Sequence, residues 1–498
     1  MLQAIRQSPN YKWWAFTAIG IGTFISVVDT GSAMVALPDI ERHFNTDLAT
    51  VQWVVVGYAL AISVLLLPMG RLGDIAGRKK IYLIGLVIFV LAAGLAGASR
   101  WINLPTLIGA KVLQGVGSAM LQATGMAILI TIFPPHERGK VLGSQLSVVG
   151  GGAVAGPALG GFLVSFWGWE WVFLIHVPVG IVTIALTFLL LEGGQGVRRS
   201  FDWPGAVLSA AALLMILLVA GYGDRAGWTS LTILGGAAGS IALLAAFIWW
   251  ELRTASPMLE LRLFKRKLVA LGVAAGWISF LGSSASRFMM PFYLQRVLLY
   301  SPKEVGLIMI PAAVCMVVVG PLSGRLSDRF GWRIMTVGGL AVGAAAWLVL
   351  ATNLSQDTSL TLIIAMLMVQ SFALGMFFTP NDSSILSAVD RSSYGVVSAL
   401  NQLTRNSANV TSIAMATTVI VTTMGVKGVE PSLDAVDAVS PLVAEAFLAG
   451  LRMAFRLMAG VLIVGVVIAI IRGERAEQPP AAAERARLRE SAPGDSGG

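Results

Sequence analysis

Fourteen stretches of about 20 or more mostly apolar residues, joined by short polar connections, limit what this chain can fold into. A helix rises about 1.5 Å per residue, so about 20 apolar residues cross a hydrocarbon layer about 30 Å thick. The stretches lie near 13–38, 51–70, 80–98, 103–131, 140–165, 171–191, 203–222, 230–250, 268–294, 304–323, 334–351, 359–386, 394–423 and 446–471. The residues are 56% hydrophobic and 12% charged, whereas an average soluble domain carries about 25% charge. Soluble globular, disordered and coiled-coil readings are thereby excluded. The expected class is an all-α integral membrane protein with 14 transmembrane helices. The first run is too long for the apolar core of a signal peptide and is expected to stay as a helix.

The net charge of +9 is spread in short clusters between the apolar runs, which argues against a nucleic-acid partner. With the N-terminus inside, the inner segments hold 24 of the 35 lysines and arginines and the outer loops only 6. Positive residues are retained in the cytoplasm, so both termini are expected there, in a cell membrane. The segment 473–498 is charged and rich in Ala, Pro and Gly, and is expected to be a disordered cytoplasmic tail. One cysteine, Cys315, and three histidines, His43, His136 and His176, make a conventional zinc site improbable. No cofactor is expected.

Two segments repeat at an offset of 254 residues. Gly70-Arg71-Leu72-Gly73-Asp74 with Gly77-Arg78-Lys79 aligns with Gly324-Arg325-Leu326-Ser327-Asp328 with Gly331-Trp332-Arg333. Each copy is expected to form a loop after the second helix of its half. Setting aside the two helices between 203 and 250, the chain divides into six-helix halves. The expected divisions are 1–195, an inserted pair in 196–262, a second half in 263–472, and the tail. Parallel repeats of this kind put a transport path between the halves. Asp74 with Arg71, Arg78 and Lys79 can form an ion-pair network that breaks and reforms, or the arginines can simply anchor topology.

The segment Gly70–Lys80 resembles the inner loop between helices two and three of the major facilitator superfamily. Fourteen helices are similar in number to its drug:proton antiporter-2 family. Further matching pieces are Val28-Asp29-Thr30, Ala36-Leu37-Pro38, Gln52-Trp53, Tyr58-Ala59-Leu60 and Phe201-Asp202-Trp203-Pro204-Gly205. The resemblance implies the major facilitator fold, two six-helix halves plus two extra central helices. It also implies a proton antiporter that exports amphipathic or hydrophobic molecules by alternating access.

Gly152, Gly156 and Gly160, with Pro157 and Gly161, put glycines four apart on one face, where a neighbouring helix can approach closely. The stretch Gly150–Gly161 resembles the superfamily's antiporter motif, which implies export; ordinary tight packing is the plainer reading. Asp29 lies about 24 Å along the first helix. A carboxylate at that depth costs a few kcal/mol unless neutralised, paired or hydrated, so intramembrane ionisable residues are functional candidates. The resemblance gives Asp29 a proton-related role; the alternative is a permanent salt bridge. Lys111 of the fourth helix sits at similar depth, where the family usually has arginine. A buried lysine can release its proton and arginine does not, so Lys111 either exchanges a proton with Asp29 or serves as a fixed counter-ion. Glu170 and His176 stand where the family more often has Arg and Asn. His176 is a third proton-coupling candidate, or a hydrogen-bonded structural histidine.

Ser398, Gln402, Arg405, Asn409 and Ser412 form a stripe at steps of three and four, facing other helices or water. Arg405 could attract an anionic group or pair with Asp382. The superfamily lines its cavity with helices one, four, seven and ten. This implies Gln114, Gln122, Trp277, Arg287, Phe288, Tyr293, Gln370 and Phe378 as cavity residues, with Gln402 and Arg405 beside them. Aromatic walls with a few polar groups suit an amphipathic substrate.

No phosphate-binding Walker loop is present to drive transport with ATP. A membrane enzyme would need a nucleophile–base or metal constellation, and none is visible. A channel fits the repeat and Asp29 less well than alternating access does. The expected function is therefore proton-coupled efflux by a monomer; the rivals are a dedicated exporter of one lipid or metabolite, or a proton symporter.

Overall fold

The computed structural model describes residues 10–46, 48–134, 137–192, 200–227, 229–254, 256–300, 302–390, 393–429 and 441–472. Among the described residues all regular structure is helical. The first six long helices are α1 (Tyr11–Phe44), α2 (Trp53–Ala76), α3 (Arg78–Ala98), α4 (Leu104–Ile132), α5 (Arg138–Trp167) and α6 (Trp171–Leu190). Next come α7 (Trp203–Ala226) and α8 (Leu231–Glu251). The last six are α9 (Lys267–Arg296), α10 (Pro302–Phe330), α11 (Trp332–Asn353), α12 (Leu360–Ser387), α13 (Tyr394–Val426) and α14 (Pro441–Ile471). Thirteen of them are long and apolar enough to cross a membrane, and α7 is apolar over the shorter span Trp203–Val219. The tail 473–498 and His136 lie outside the described residues.

Short polar residues start several of these helices. Asn103, Asp202, Ser230 and Ser359 each accept the backbone N–H three residues on, satisfying a donor that the first helical turn leaves open. Prolines do less than the sequence suggests. The first helix, expected to end at Pro38, continues to Phe44 and stops at Asn45, whose φ of 49° breaks the helical path. A proline deletes only one backbone donor near a helix end, which the remaining turns tolerate. In the same way α2 runs through Pro68 to Ala76. Gly70–Asp74 is therefore the end of a helix, not a loop, and the connection narrows to Gly77 at φ 99°. Its repeat behaves alike: α10 carries Gly324 to Phe330, and Gly331 turns at φ 85°. A side chain is strained at such φ values, so the repeated glycines mark matching helix–helix corners. The sixth helix is interrupted at Ile175, where Pro178 leaves the Leu174 carbonyl without its usual donor.

The buried apolar residues fall into separate clusters. One draws only on residues between Ala275 and Ala469, with Trp347 stacked on Phe455 at 4.7 Å. Two others, around Phe173 and around Phe89, use only residues between Ala15 and Leu191. The clusters that join these two bodies bring α4 and α5 against α12 and α13, and α2 against α13. Most of their residues lie near the end of the bundle that carries Asp74, Arg78 and Arg138, termed the basic end here.

Two seams close that end. Along α5 and α10, a Cβ on Gly143 would strike the carbonyl of Gly320, and one on Gly324 would strike that of Gly139. Ser147 Oγ donates to the Val317 carbonyl on the same line. Along α2 and α13, a Cβ on Gly70 would sit 2.7 Å from Ala399 Cβ and 2.9 Å from the Gly395 carbonyl. Asp74 accepts the Val396 N–H at 3.1 Å and pairs with Arg78 at 2.8 Å. Its carboxylate thereby meets the amide end of α13, where the helix dipole favours negative charge. Arg138 donates to the Tyr394 hydroxyl at 2.6 Å, tying α5 to α13.

The pair α7–α8 packs over the second seam. Ala206 and Phe247 join Leu67, Val396 and Leu400 in one cluster. Trp250 Nε1 donates to Asp202 at 2.8 Å, and Glu251 accepts the backbone N–H groups of Met258 and Leu259 at 3.2 and 3.1 Å. The strand of chain leading to α9 so folds back over the basic end and encloses a cavity of about 450 Å³ between Arg71, Glu251, Arg262 and Ser393.

The seams are tight enough to test. In a Cys315→Ser background carrying Ser147→Cys as a reporter, Gly143→Val should oppose closure by about 1–3 kcal/mol, as overpacking does. Thiol labelling at position 147 should speed up at least about fivefold. Gly151→Val, placed where a Cβ meets nothing within 4 Å, should leave labelling unchanged. Equal labelling of all three proteins would mean that the glycines do not set the approach.

Candidate functional site

Asp29, Lys111 and His176, far apart in sequence, meet inside the helices α1, α4 and α6. Lys111 Nζ donates to Asp29 Oδ2 at 2.6 Å and to Gln114 Oε1 at 2.7 Å, while Gln114 Nε2 donates to Asp29 Oδ1 at 3.1 Å. Lys111 and Gln114 stand three apart on α4, one above the other on the same face, which lets both reach one carboxylate. The charges are 0% and 1% exposed for Asp29 and Lys111. Lys111 also lies 4.3 Å from the centre of the Tyr58 ring and 5.2 Å from that of Phe173, an aromatic box that favours a cation stripped of water.

His176 is buried beside this pair. Its Nδ1 is 3.3 Å from the Phe173 carbonyl and 3.9 Å from Asp29 Oδ1. Since a carbonyl only accepts, Nδ1 carries a proton in that contact. Nε2 is buried with no hydrogen-bond partner among the described residues. Glu170, the other departure from the family pattern, pairs with Arg100 and so fastens the start of α6 to the end of α3.

The glycine motif of α5 holds the aspartate-bearing turn. A Cβ on Gly156 would stand 3.0 Å from the Val28 carbonyl and 3.1 Å from Gly31 Cα, and one on Gly160 would stand 2.7 Å from Ser32 Cα. Gly152 meets Val27 at 3.0 Å, and Pro157 lies against Gly31. Gly152, Gly156 and Gly160 therefore seat α5 directly behind Val27–Ser32, and a Cβ at Gly156 or Gly160 would meet the backbone of the turn that carries Asp29.

A second ion pair lies between α12 and α13. Arg405 Nη1 donates to Asp382 Oδ2 at 2.8 Å, its Nε donates to Gln402 Oε1 at 3.1 Å, and its guanidinium lies 4.8 Å from the Phe378 ring centre. Asn401 donates to the other Asp382 oxygen at 3.3 Å. The polar stripe of α13 does not act as a unit: Ser412 donates to the Leu281 carbonyl and accepts the Ala285 N–H on α9.

Other expected cavity residues are placed differently. Tyr293 is fully buried in the C-terminal cluster with its hydroxyl donating to the Ser355 carbonyl at 2.7 Å, and Gln370 donates to Gly343 at 2.7 Å on α11. Both donate within one body, and Gln370 Oε1 is buried with no hydrogen-bond partner among the described residues. Gln114 likewise belongs to the Asp29 cluster. Trp277 and Gln122 are half-buried. The side chains of Arg287, Phe288 and Asp328 lie outside the described residues. Arg71 is buried at the cavity of the basic end, and Arg325 is exposed.

Sequence reasoning missed Tyr58, Ser26 and Ser118, whose hydroxyls gather beneath the ion pair. The signal was present in part, since Lys111, Gln114, Ser118 and Gln122 recur at steps of three and four on α4. It also missed Arg472, which donates to Asn381 and Ser384 at 2.7 Å each and closes α14 onto α12.

Two bodies of apolar helices, sealed to each other near one end and carrying buried charge pairs within, define a multi-pass membrane transporter. Residues 19–413 match the Major Facilitator Superfamily. The riboflavin transporter RibZ of Clostridioides difficile (strain 630) is 34% identical over 76% of this chain and 81% of its own length. The multidrug resistance protein Stp of Mycobacterium tuberculosis is 31% identical over 77% of this chain and 71% of its own. Among solved structures, the human organic anion transporter MFSD10 is similar with a TM-score of 0.64 at 14% identity, covering 93% of this chain and 100% of that one. The chain belongs to the Major Facilitator Superfamily, in its fourteen-helix drug:proton antiporter-2 family, and is a transporter rather than an enzyme.

The buried pair predicts a non-additive stability pattern. Lys111→Met leaves an unpaired buried carboxylate and should cost about 3–5 kcal/mol, read as a lower thermal unfolding midpoint in detergent. Adding Asp29→Asn should recover most of that loss. Two independent, additive losses would show that the charges do not depend on each other.

Proposed function

We propose that this transporter exports amphipathic or hydrophobic small molecules in exchange for protons, by alternating access. The observation that carries the reading is the Asp29–Lys111 pair, held within hydrogen-bond distance by Gln114 and buried at depth. An ion pair in this position can be opened by one proton: protonating Asp29 removes its hold on Lys111, and Lys111 then faces an apolar box as a lone charge. Both states differ in charge and in packing across α1 and α4, which is what links proton binding to a conformational change. His176 lies next to the same carboxylate and takes part as its alternative hydrogen-bond partner.

The basic end is closed by both glycine seams in this state. Asp74, paired with both Arg78 and the start of α13, is the contact that must break when the basic end opens. Arg405, Gln402 and Phe378 supply the cationic, polar and aromatic groups that an amphipathic substrate would meet. We place the transporter in the cell membrane with both termini in the cytoplasm, working as a monomer. A second reading, a dedicated carrier of one metabolite, is favoured by the likeness to a riboflavin transporter.

Proteoliposomes under an imposed pH gradient, with ethidium and riboflavin as probes, test both. In wild type, solute movement should be accompanied by proton movement in the opposite direction. In Asp29→Asn, accumulation against a gradient should fall to background while downhill movement persists. Movement of a probe without protons, alike in wild type and variant, would refute coupling through Asp29. Saturable riboflavin transport with no ethidium transport would favour the dedicated carrier.

A further inference from the structure

Below the ion pair, three hydroxyls from three helices close a ring that the proposed exchange does not use. Ser26 Oγ of α1 is 2.5 Å from Ser118 Oγ of α4 and 3.1 Å from the Tyr58 hydroxyl of α2, and Tyr58 is 2.9 Å from Ser118. All three residues are buried. Gln122 Nε2 donates to Ser118 at 3.3 Å and is itself half-buried. In each edge of the ring either oxygen can donate, so the three O–H bonds can point one way round or the other.

The ring and the ion pair share Tyr58. One face of its aromatic ring carries Lys111 Nζ at 4.3 Å from the centre, and its hydroxyl belongs to the ring of oxygens. Along α4 the order Lys111, Gln114, Ser118, Gln122 runs toward the basic end over about 16 Å. Ser26 stands one helical turn from Asp29 in the same direction. A proton leaving the pair toward the basic end meets these hydroxyls before it meets partly exposed Gln122.

We infer that Tyr58, Ser26 and Ser118 form the proton path between the Asp29–Lys111 pair and the basic end; this rests on the proton-coupled reading above. When Lys111 leaves Asp29, a side-chain rotation brings Nζ onto the Tyr58 hydroxyl. The hydroxyl accepts the ammonium proton and passes its own to Ser118 or Ser26, which passes one on in turn. Each oxygen ends with one O–H bond, Lys111 ends neutral, and one proton leaves beside Gln122. The reverse sequence loads the pair. The ionisable groups that face this region are Asp29 from α1, Lys111 from α4 and His176 from α6; α3 contributes Phe89, which packs against His176.

Tyr58→Phe separates the path from the packing, because it keeps the aromatic face under Lys111 and removes one oxygen. The measurement is time-resolved infrared absorption of the Asp29 carboxyl after a pH jump on purified full-length protein, with Asp29→Asn identifying the band. The expected result is an unchanged final amplitude reached at least tenfold more slowly in Tyr58→Phe, with similar slowing in Ser118→Ala and recovery in Ser118→Thr. Ser118→Ala serves by itself if Tyr58→Phe fails to fold. Wild-type rates in both variants would overturn the path, and so would a changed final amplitude, which would make the hydroxyls tuners of Asp29 rather than carriers. A wild-type Asp29 band that does not respond to pH would overturn the coupling reading itself, and the path with it.

Discussion

Everything in the N-terminal body is arranged around the need to bury one carboxylate. Asp29 is surrounded by apolar helices, and the free energy of leaving it charged without partners far exceeds what a single helix can supply. Lys111 answers that charge, Gln114 occupies the second oxygen, and Tyr58 and Phe173 close over the cation. The glycines of α5 then become necessary, because only a helix without side chains on one face can lie directly behind the aspartate-bearing turn. Sequence motifs that look independent are therefore parts of one requirement.

The C-terminal body meets a similar demand by other means. Asp382 is matched by Arg405 and Asn401, with Arg405 shared with Gln402 and lying over Phe378. Arginine fixes the charge, whereas the lysine of the other body can lose it. The two bodies share matching glycine corners at 77 and 331, yet their buried pairs differ in chemistry. One pair is built on a lysine and the other on an arginine.

Much of the architecture was legible because it rests on length and repetition. Helix count, the repeat, and the tight face of Gly152, Gly156 and Gly160 need only the spacing of residue types. Helix ends were read less well: the first apolar run ends at Pro38 and the second at Gly70, whereas the helices continue to Phe44 and Ala76. A proline near a helix end deletes only one donor and a glycine none. The pairing of Asp29 with Lys111 was accessible from matched depth. The hydroxyl ring was not, because serines and tyrosines on apolar helices are common and only packing shows which of them meet. Nor were the partners of Tyr293 and Gln370, each of which donates to a backbone carbonyl within its own body.

The inserted pair α7–α8 breaks the two-fold symmetry of the closed end. It covers the α2–α13 seam and leaves the α5–α10 seam uncovered by any comparable element among the described residues. A molecule dissolved among the lipids would thus find two unlike flanks, one walled and one bare. The two flanks of the basic end are therefore unlike: parting the α2–α13 seam would displace two further helices and a folded-back strap, and parting the α5–α10 seam would not.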